Sequence, residues 1–379
     1  MHIVIAPNSF KHCLSAPDVA CAMAEGVTDV WPDADIALCP MADGGDGVAI
    51  VLAHALGGQR VMTDTVDPLG RPHQAEWLKT EHWAVIEMAL ASGIALLQPR
   101  ERRPLLATTR GTGILIRAAL DAGCRDIIMG LGGSATVEAG CGMAMALGFR
   151  LLKANGDSID DGGDGVGQLD RIDIAAVDSR LRDVRVTCLS DVQNPLLGSD
   201  GAACVYGPQK GASPEEVDIL ERHLARWADV VQRDLGVDVR AVPGAGAAGG
   251  LGAGCLAFLN ARLEGGAAWI AAQIGLESAI QRADLVLTGE GRIDHQTAFG
   301  KVPALVGQLA LTHKKPAVAL GGSVEKNLDL TSIGLTQCLS ITPVGCSLDK
   351  AIQTAAVNLR ETTARFLRGW EAAPVTQSH

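Results

Sequence analysis

The sequence predicts an α/β protein with two α/β domains, one of them a doubly wound domain built on a parallel sheet. Short apolar runs are followed by a glycine-containing loop and then by a helical pattern, an order found over 1–60 and again over 284–370. With 379 residues, the chain is longer than one hydrophobic core usually holds. We therefore expect a discontinuous domain formed by 1–66 and 284–379, with a second α/β domain, 67–283, inserted into it.

The expected discontinuous domain begins with a strand near the amino terminus. The run HIVIA (2–6) is apolar at consecutive positions, as in a central strand covered on both faces. Ser15, followed by Pro17 and Asp18, is typical of a helix N-terminus and places the first helix at 19–27. The same reasoning predicts strands at 36–38, 284–288, 317–320 and 338–341, and helices at 48–56, 302–311 and 349–368.

The rest of the chain shows the same alternation of strands and helices. DIIM (126–129) and VRVTCL (184–189) have the composition of short buried strands. The pattern that follows GPQKGAS predicts the longest helix, at 214–235. The remaining elements are strands at 61–66, 73–78 and 84–88, and helices at 114–122 and 139–147.

Composition favours a soluble protein with small-molecule ligands. The chain is 47% hydrophobic and 20% charged with a net charge of −11, which disfavours nucleic acid and anionic membrane surfaces as partners. Its 45 glycines predict many tight turns or close approaches to a ligand. The ten cysteines show no metal-ligand spacing, which suits a reducing cytosol. No apolar run is long enough for a signal peptide or membrane span, so we expect a cytoplasmic protein, and we leave open whether it forms a homo-oligomer.

Polar side chains concentrate in the loops that follow the predicted strands. In open α/β sheets these loops form the ligand-binding edge. The stretch LGGSAT, between the strand at 126–129 and the helix at 139–147, offers backbone N–H groups and hydroxyls to an anion. Further loops combine lysines with carboxylates or amides. The candidate residues are Lys11, Asp43, Gly132, Gly133, Ser134, Thr136, Asp191, Asn194, Lys210, Glu290, Arg292, Asp294 and Lys301.

These residue types suit phosphoryl transfer. That reaction needs N–H groups and cations on the phosphates, carboxylates for Mg²⁺, and a carboxylate at the acceptor hydroxyl. The sequence has no P-loop, no protein-kinase motif and no G-x-S-x-G nucleophile motif, so any kinase here is of another kind. Two structural interpretations remain as alternatives to ligand binding. The glycines of 130–133 are also typical of a tight turn, and Asp191 with Asn194 is also typical of an Asp/Asn turn.

Two other glycine-rich segments are discounted as ligand sites. PGAGAAGGLGAG (243–254) contains G-x-G-x-x-G, but it lacks the preceding strand that a dinucleotide-binding fold requires. DGGDGV occurs at 43–48 and again at 161–166. The second copy has no strand before it and no helix after it, so we expect a surface loop.

Eight motifs occur in one order along nearly the whole chain, and together they resemble the type 1 glycerate kinase family. They are MHIVIAPNSFKHCLSA, PMADGGDGV, TRGTG, LGGSAT, SDVQNPLLG, GPQKGA, PGAGAAGGLGAG and TGEGRIDHQTAFGKVP. The resemblance implies ATP and Mg²⁺ as cofactors and phosphorylation of D-glycerate at the 2-hydroxyl, giving 2-phosphoglycerate. Two alternatives stay open: a kinase that yields 3-phosphoglycerate or acts on a related small hydroxy acid, and a non-catalytic dinucleotide-binding regulator.

Residue type and loop position give a hypothesis for each candidate. The residues predicted to be catalytic are Asp191, Lys11 and Asp294. The carboxylates predicted to hold Mg²⁺ are Asp191 and Glu290. Substrate binding is predicted for Asp43, Asn194, Lys210, Arg292 and Glu290, and phosphate binding for Gly132, Gly133, Ser134, Thr136 and Lys301.

The sequence departs from the family pattern in two loops. Asn8 and His12 stand where the family usually has Asp and Gly. The run 137–140 is Val-Glu-Ala-Gly where the family usually has Asn-Asp-Gly-Gly. Glu138 keeps a carboxylate, but the amide at 137 is lost. This departure removes the basis for a direct ligand role of 137 and 138 and leaves room for an altered substrate preference.

Overall fold

The computed structural model describes residues 1–11, 13–298, 301–325, 328 and 330–370, and His12 lies outside them. The described strands are β1 (His2–Ile5), β2 (Asp35–Leu38), β3 (Gln59–Val66), β4 (Pro72–Lys79), β5 (Ala84–Glu87), β6 (Asp126–Gly130), β7 (Arg150–Leu152), β8 (Arg171–Asp173), β9 (Arg185–Leu189), β10 (Arg262–Glu264), β11 (Leu285–Ile293), β12 (Ala317–Val324) and β13 (Gln337–Ser340). The described helices are α1 (Ala16–Thr28), α2 (Val48–Leu56), α3 (Ala89–Ser92), α4 (Arg110–Asp121), α5 (Cys141–Ala146), α6 (Gly162–Val166), α7 (Ala202–Tyr206), α8 (Pro214–Leu235), α9 (Ala247–Leu259), α10 (Gly266–Gln273), α11 (Leu276–Arg282), α12 (Val302–Thr312), α13 (Leu348–Gln353) and α14 (Ala355–Arg368).

The chain divides into two compact units, each with its own main sheet. The first unit contains the described residues of Met1–Asp43, Ile50–Leu56 and Ala267–His379, and the second contains Gly44–Ala49 and Gly57–Gly266. Strands and helices alternate in both, which confirms the predicted α/β class. Within the described part of the chain, no helix combines the length and apolarity needed to cross a membrane.

The division between the units differs from the expected boundaries at 66/67 and 283/284. β3 pairs along its whole length with β4, so it belongs to the sheet of the second unit and not to the first unit. α11 belongs to the first unit, where it packs against β1 and α12. A sequence pattern identifies a strand or helix but not the element on which it packs, and this is why both were assigned to the wrong side.

The first unit is built on a parallel five-stranded sheet with the order β13-β12-β11-β1-β2. Ile3, Val4 and Ile5 are all fully buried, and since neighbouring side chains point to opposite faces, both faces are covered. α1 and α14 pack together, as do α11 and α12. The chain runs from β1 to β2 in one direction and from β11 to β12 in the other. The carboxyl ends of β1 and β11 therefore form a topological switch point, the usual ligand site of such sheets.

β11 is longer than predicted and contains part of the expected polar loop. It continues to Ile293 because the GEGRI segment pairs with β12, with Glu290 opposite Gly321 and Arg292 opposite Ser323. A Cβ on Gly322 would lie 2.4 Å from the Gly291 carbonyl oxygen, so glycine permits this close pairing. The consequence is that Glu290 and Arg292 are held by a strand and not by a free loop.

The second unit is built on a mixed six-stranded sheet with the order β10-β9-β6-β5-β4-β3. β10, β9, β6 and β5 are parallel, and β4 and β3 form an antiparallel edge. Glu87, Gly130, Leu189 and Glu264 lie in register across the four parallel strands. The loops that follow these strands therefore begin at one edge of the sheet.

The two discounted glycine segments are buried parts of the second unit. The expectation of a surface loop at 161–166 is wrong, because Gly162–Val166 forms α6 and Gly162, Gly163 and Val166 are buried. PGAGAAGGLGAG leads into α9 and packs on the backbone at 136–140. A Cβ on Gly249 would lie 1.8 Å from the Thr136 carbonyl oxygen, and one on Gly254 would lie 2.3 Å from the Ala139 oxygen. These glycines face the protein's own backbone and leave no space there for a dinucleotide.

A methyl group at position 249 should destabilise the second unit strongly. Gly249→Ala places a Cβ against the Thr136 carbonyl and forces a φ of +69° on a residue with a side chain. We expect the free energy of unfolding, measured by urea denaturation, to fall by more than about 2 kcal/mol. Gly70 has a similar φ of +76° but open space around its Cβ position, so Gly70→Ala should cost only about 1 kcal/mol. Equal losses would show that the contact with Thr136 does not explain the glycine.

Candidate active site

In the first unit, a lysine lies between two carboxylates at the end of β11. Lys301 Nζ is 3.9 Å from Glu290 Oε2 and 3.8 Å from Asp294 Oδ1. Arg292 Nε lies 3.1 Å from the other oxygen of Asp294. Thr297 donates a hydrogen bond of 2.7 Å to Glu290 Oε1, and its hydroxyl accepts one from the Asp294 N–H. The structure thus brings four predicted residues together and adds Thr297, which residue type alone did not single out.

The surroundings of Glu290 raise the pKa of its carboxyl group. Burial raises the pKa of Glu290, and the negative charges of Asp294 and Asp43 raise it further. The hydrogen bond from Thr297 and the charge of Lys301 oppose this shift but do not cancel it. A carboxylate with a raised pKa is a better proton acceptor near neutral pH than an ordinary surface carboxylate.

Lys11 and Asp43 follow β1 and β2 in the same unit. Lys11 Nζ lies 3.7 Å from Asp43 Oδ2, and the Lys11 side chain is 63% exposed. The backbone at Lys11 passes beside Gly291 of β11, where a Cβ would lie 3.6 Å from the Lys11 nitrogen. An exposed lysine next to the switch point is able to contact an anionic ligand.

In the second unit, Lys210 is buried beside Ser134. The short 3₁₀ helix Pro208–Lys210 carries it, and its side chain donates hydrogen bonds to Ser134 Oγ at 2.6 Å and to the Thr136 carbonyl oxygen at 2.8 Å. Lys210 is 3% exposed, and no carboxylate among the described residues forms an ion pair with it. Burial therefore lowers the pKa of Lys210 to about 7. A buried amine with only neutral partners is prepared to pair with an anion.

The other candidate residues of the LGGSAT loop, Gly132, Gly133 and Thr136, pack mainly against the protein itself. Thr136 is fully buried and its hydroxyl has no exposed surface, so this conformation does not place it in a phosphate cradle. A Cβ on Gly132 would lie 2.6 Å from Gly45 Cα, and one on Gly133 would lie 3.0 Å from Asp46 Oδ1. Both glycines allow the turn at Gly44–Ala49 to approach, although their N–H groups can still face a ligand.

Asp191 and Asn194 follow β9, next to the loop that follows β6 in the same sheet. A Cβ on Gly265, which follows β10, would lie 3.7 Å from Asp191 Oδ1. The side-chain amide of Asn194 donates to the Asp200 carbonyl oxygen at 2.8 Å and accepts from the Tyr206 hydroxyl at 2.6 Å. Since both ends of this amide are engaged by protein groups, one of them on α7, the contacts favour a structural role for Asn194 over substrate binding.

Glu138, at one departure from the family pattern, is a buried structural residue. Thr109 Oγ1 donates to one carboxyl oxygen at 2.5 Å, and the Gly142 N–H donates to the other at 2.7 Å. The Met143 N–H in turn donates to Thr109 Oγ1. These contacts join the starts of α4 and α5, and burial raises the pKa of Glu138 to about 8. In this conformation both carboxyl oxygens of Glu138 are engaged inside the protein.

Carboxylates suited to Mg²⁺ occur singly or in pairs. Among the described residues, no group of three or more His, Cys, Asp or Glu side chains is placed to hold a metal ion. Mg²⁺ commonly keeps several waters and is bound by one or two carboxylates together with substrate phosphates. Glu290 and Asp191 fit such a role by their chemistry.

Fold and site together describe an α/β enzyme with the loops of a small-molecule kinase. Residues 3–371 match the model of the glycerate kinase family. The chain is 44% identical over 368 residues to a glycerate kinase of Bacillus subtilis (strain 168), covering 96% of both chains, and 43% identical over 365 residues to a glycerate 2-kinase of Escherichia coli (strain K12), covering 95% of both. A crystal structure described as a glycerate kinase 2 from Salmonella typhimurium LT2 matches with a TM-score of 0.86 and 44% identity over 97% of each chain. The chain belongs to the glycerate kinase family, which confirms the resemblance seen in its motifs.

Glu138 should make the stability of the protein depend on pH. Its pKa of about 8 in the folded state lies above the ordinary 4.5, so the folded state binds more protons between these values. The free energy of unfolding should therefore be highest below pH 4.5 as far as this group is concerned, and should fall as pH rises to 8, by up to roughly 1.4 kcal/mol per pH unit. Glu138→Gln keeps one oxygen that can accept from the Gly142 N–H, and its NH₂ group can donate to Thr109 Oγ1 in place of the bond that Thr109 now donates, so the variant should flatten this dependence in urea titrations.

The exposed Glu81 offers a matched control for the loss of one charge. Glu81→Gln should retain the wild-type dependence. If Glu138→Gln shows the same slope between pH 5 and 8 as the wild type, then Glu138 does not retain its proton in the folded protein.

Proposed function

We propose that this chain transfers the γ-phosphoryl group of ATP to the 2-hydroxyl of D-glycerate, giving 2-phosphoglycerate and ADP. The observation that carries the proposal is the buried amine of Lys210, hydrogen-bonded to Ser134 in the glycine loop after β6. An anion that binds at that loop would pair with the charged form of this amine and offset the cost of burying it. Family membership and the names of the relatives support the same reaction.

In the second unit, the loop after β6 would bind phosphate. The N–H groups of Gly132 and Gly133 and the hydroxyl of Ser134 are suitable donors to phosphate oxygens. Lys210 would act from behind Ser134 and offset the negative charge. Asp191, in the adjacent loop, is the proposed catalytic carboxylate, with a further role as a Mg²⁺ ligand.

In the first unit, lysine and arginine side chains would bind the anionic groups of the substrates. A carboxylate would accept the proton of the reacting hydroxyl. Lys11 and Arg292 are both exposed enough to contact the carboxylate of D-glycerate. The raised pKa of Glu290 suits a group that accepts the proton of the reacting hydroxyl. Asp294 orients Arg292 and Lys301, and Lys301 is free to shift its contact toward a phosphate oxygen. Asp43 orients Lys11 for the same purpose.

Mg²⁺ would neutralise charge on the β- and γ-phosphates of ATP during transfer. Asp191 is the proposed protein ligand, and Glu290, which the sequence also suggested for Mg²⁺, is proposed instead as the acceptor of the hydroxyl proton. We also propose a cytoplasmic location, because all ten cysteines, every one a described residue, are free thiols.

The reaction is tested by identifying the product. The purified chain, given MgATP and D-glycerate, should form a product that enolase converts to phosphoenolpyruvate without added phosphoglycerate mutase. A product that needs the mutase would identify transfer to the 3-hydroxyl. ATP consumption with another small hydroxy acid but not with D-glycerate would overturn the proposed substrate, and absence of ATP consumption would overturn the proposed activity.

Lys210→Met should weaken binding of ATP by about tenfold to a hundredfold, since a charge-assisted contact is lost. The pKa of Lys210 is about 7 in the free protein, and a bound anion would raise it. ATP binding at pH 8 should therefore take up part of a proton in the wild type and less in the variant. Calorimetry in two buffers of different ionisation enthalpy measures this uptake.

Lys153, which pairs with Asp160 at the surface, provides a matched control. Lys153→Met should leave both the affinity and the proton uptake unchanged. Equal uptake in the wild type and Lys210→Met would remove Lys210 from the proposed anion site.

A further inference from the structure

Glu87 contacts the turn that precedes α2. It lies at the carboxyl end of β5 and is 8% exposed. Its carboxylate accepts hydrogen bonds from the Ala49 N–H at 2.8 Å and from the Gly47 N–H at 3.1 Å. Helix N-termini have unpaired N–H groups that a side chain of the preceding residue usually caps. Here that residue is Gly47, which has no side chain, and Glu87 from another strand supplies the missing acceptor.

The same turn packs directly on the loop that carries Ser134. The Leu131 N–H donates to the Gly44 carbonyl oxygen at 3.1 Å as well as to Leu189. Gly132 has no space for a Cβ because Gly45 lies there, and the Asp46 carboxylate lies against Gly133. A displacement of the turn at Gly44–Ala49 would therefore displace this loop too.

We propose that Glu87 is a positioning residue, which holds the turn at Gly44–Ala49 against the loop at 130–134 and thereby places Ser134 for the reaction. Its effect on the turn stands on the hydrogen bonds alone, whereas its effect on turnover rests on the proposed function. The sequence did not single out Glu87, because the run AVIE (84–87) has the composition of an ordinary buried strand.

Charge contributes to this role as well as geometry. A carboxylate at a helix N-terminus interacts favourably with the helix dipole. Burial raises the pKa of Glu87, and the negative charges of Asp46 on the turn and Glu76 on β4 raise it further. Protonation at low pH should therefore weaken the hold on the turn, and activity should be lost on the acid side at a higher pH than for an ordinary glutamate.

The first measurement is amide hydrogen exchange by NMR, which does not depend on the substrate. Glu87→Gln removes the charge and leaves one oxygen for two N–H groups. Glu87→Asp keeps the charge but shortens the reach. We expect the amides of Gly47, Ala49 and Leu131 to exchange at least about tenfold faster in Glu87→Gln, with an intermediate effect in Glu87→Asp. Glu76→Gln, which removes a neighbouring charge without touching these amides, should leave them unchanged.

The second measurement is turnover of D-glycerate across pH. In Glu87→Gln, kcat/KM should fall about tenfold to a hundredfold, and the acid limb that Glu87 produces should disappear. Glu87→Asp should keep an acid limb and recover part of the activity, and Glu76→Gln should remain within about twofold of the wild type. If Glu87→Gln does not fold, Glu87→Asp provides the same comparison with the control.

Unchanged exchange at Gly47 and Ala49 in the Glu87 variants would overturn the proposal. Faster exchange with wild-type kcat/KM and pH profile would overturn the positioning role in the reaction. A wild-type protein without activity on D-glycerate would instead refute the proposed function, and the exchange rates would still decide whether Glu87 holds the turn.

Discussion

The structure of the second unit depends on the close approach of three backbone segments around the loop at 130–140. Gly45 packs on Gly132, and Gly249 packs on the Thr136 carbonyl. No side chain fits at these contacts, so the glycines of three separate motifs are required by one another. A loop held in this way loses little further freedom when a ligand binds, which is the advantage of a preorganised anion site. These glycines are thus required by backbone packing, independently of any role in binding a ligand.

Burial shifts several pKa values in this protein, and the hydrogen-bond partners separate structural groups from functional ones. The pKa of Glu138 is raised, but both of its oxygens accept hydrogen bonds inside the protein. Lys210 has its pKa lowered to about 7 and meets only a hydroxyl and a carbonyl. Glu290 lies between these cases, since Thr297 and Lys301 contact it while burial still raises its pKa. A perturbed group is a candidate for function when its charged form is left without a full set of partners.

The first unit places its polar residues by strand geometry. GEGRI extends β11 past the point where β1 ends, and the glycines of β12 make this pairing possible. Glu290 and Arg292 are therefore fixed to a rigid element, next to the switch point between β1 and β11. The same residues in a free loop would have to be ordered by the substrate at an entropic cost. This arrangement explains why an acidic and basic sequence is found on a strand that is otherwise buried.

Local patterns in the sequence determined the α/β class, most strands and helices, and the loops in which the chemistry is found, because each depends on residues close together in the chain. They also contained the motifs that place the chain in its family. The tertiary structure decided which residues within those loops meet. It joined Lys210 to Ser134, assigned β3 to the second sheet, and engaged the amide of Asn194 with Asp200 and Tyr206. It also revealed Glu87 and Thr297 as partners of the site. The physical reason is that hydrogen bonds and burial between residues distant in sequence depend on how strands pair and pack. A local sequence pattern does not identify the distant residue with which a given group will pair.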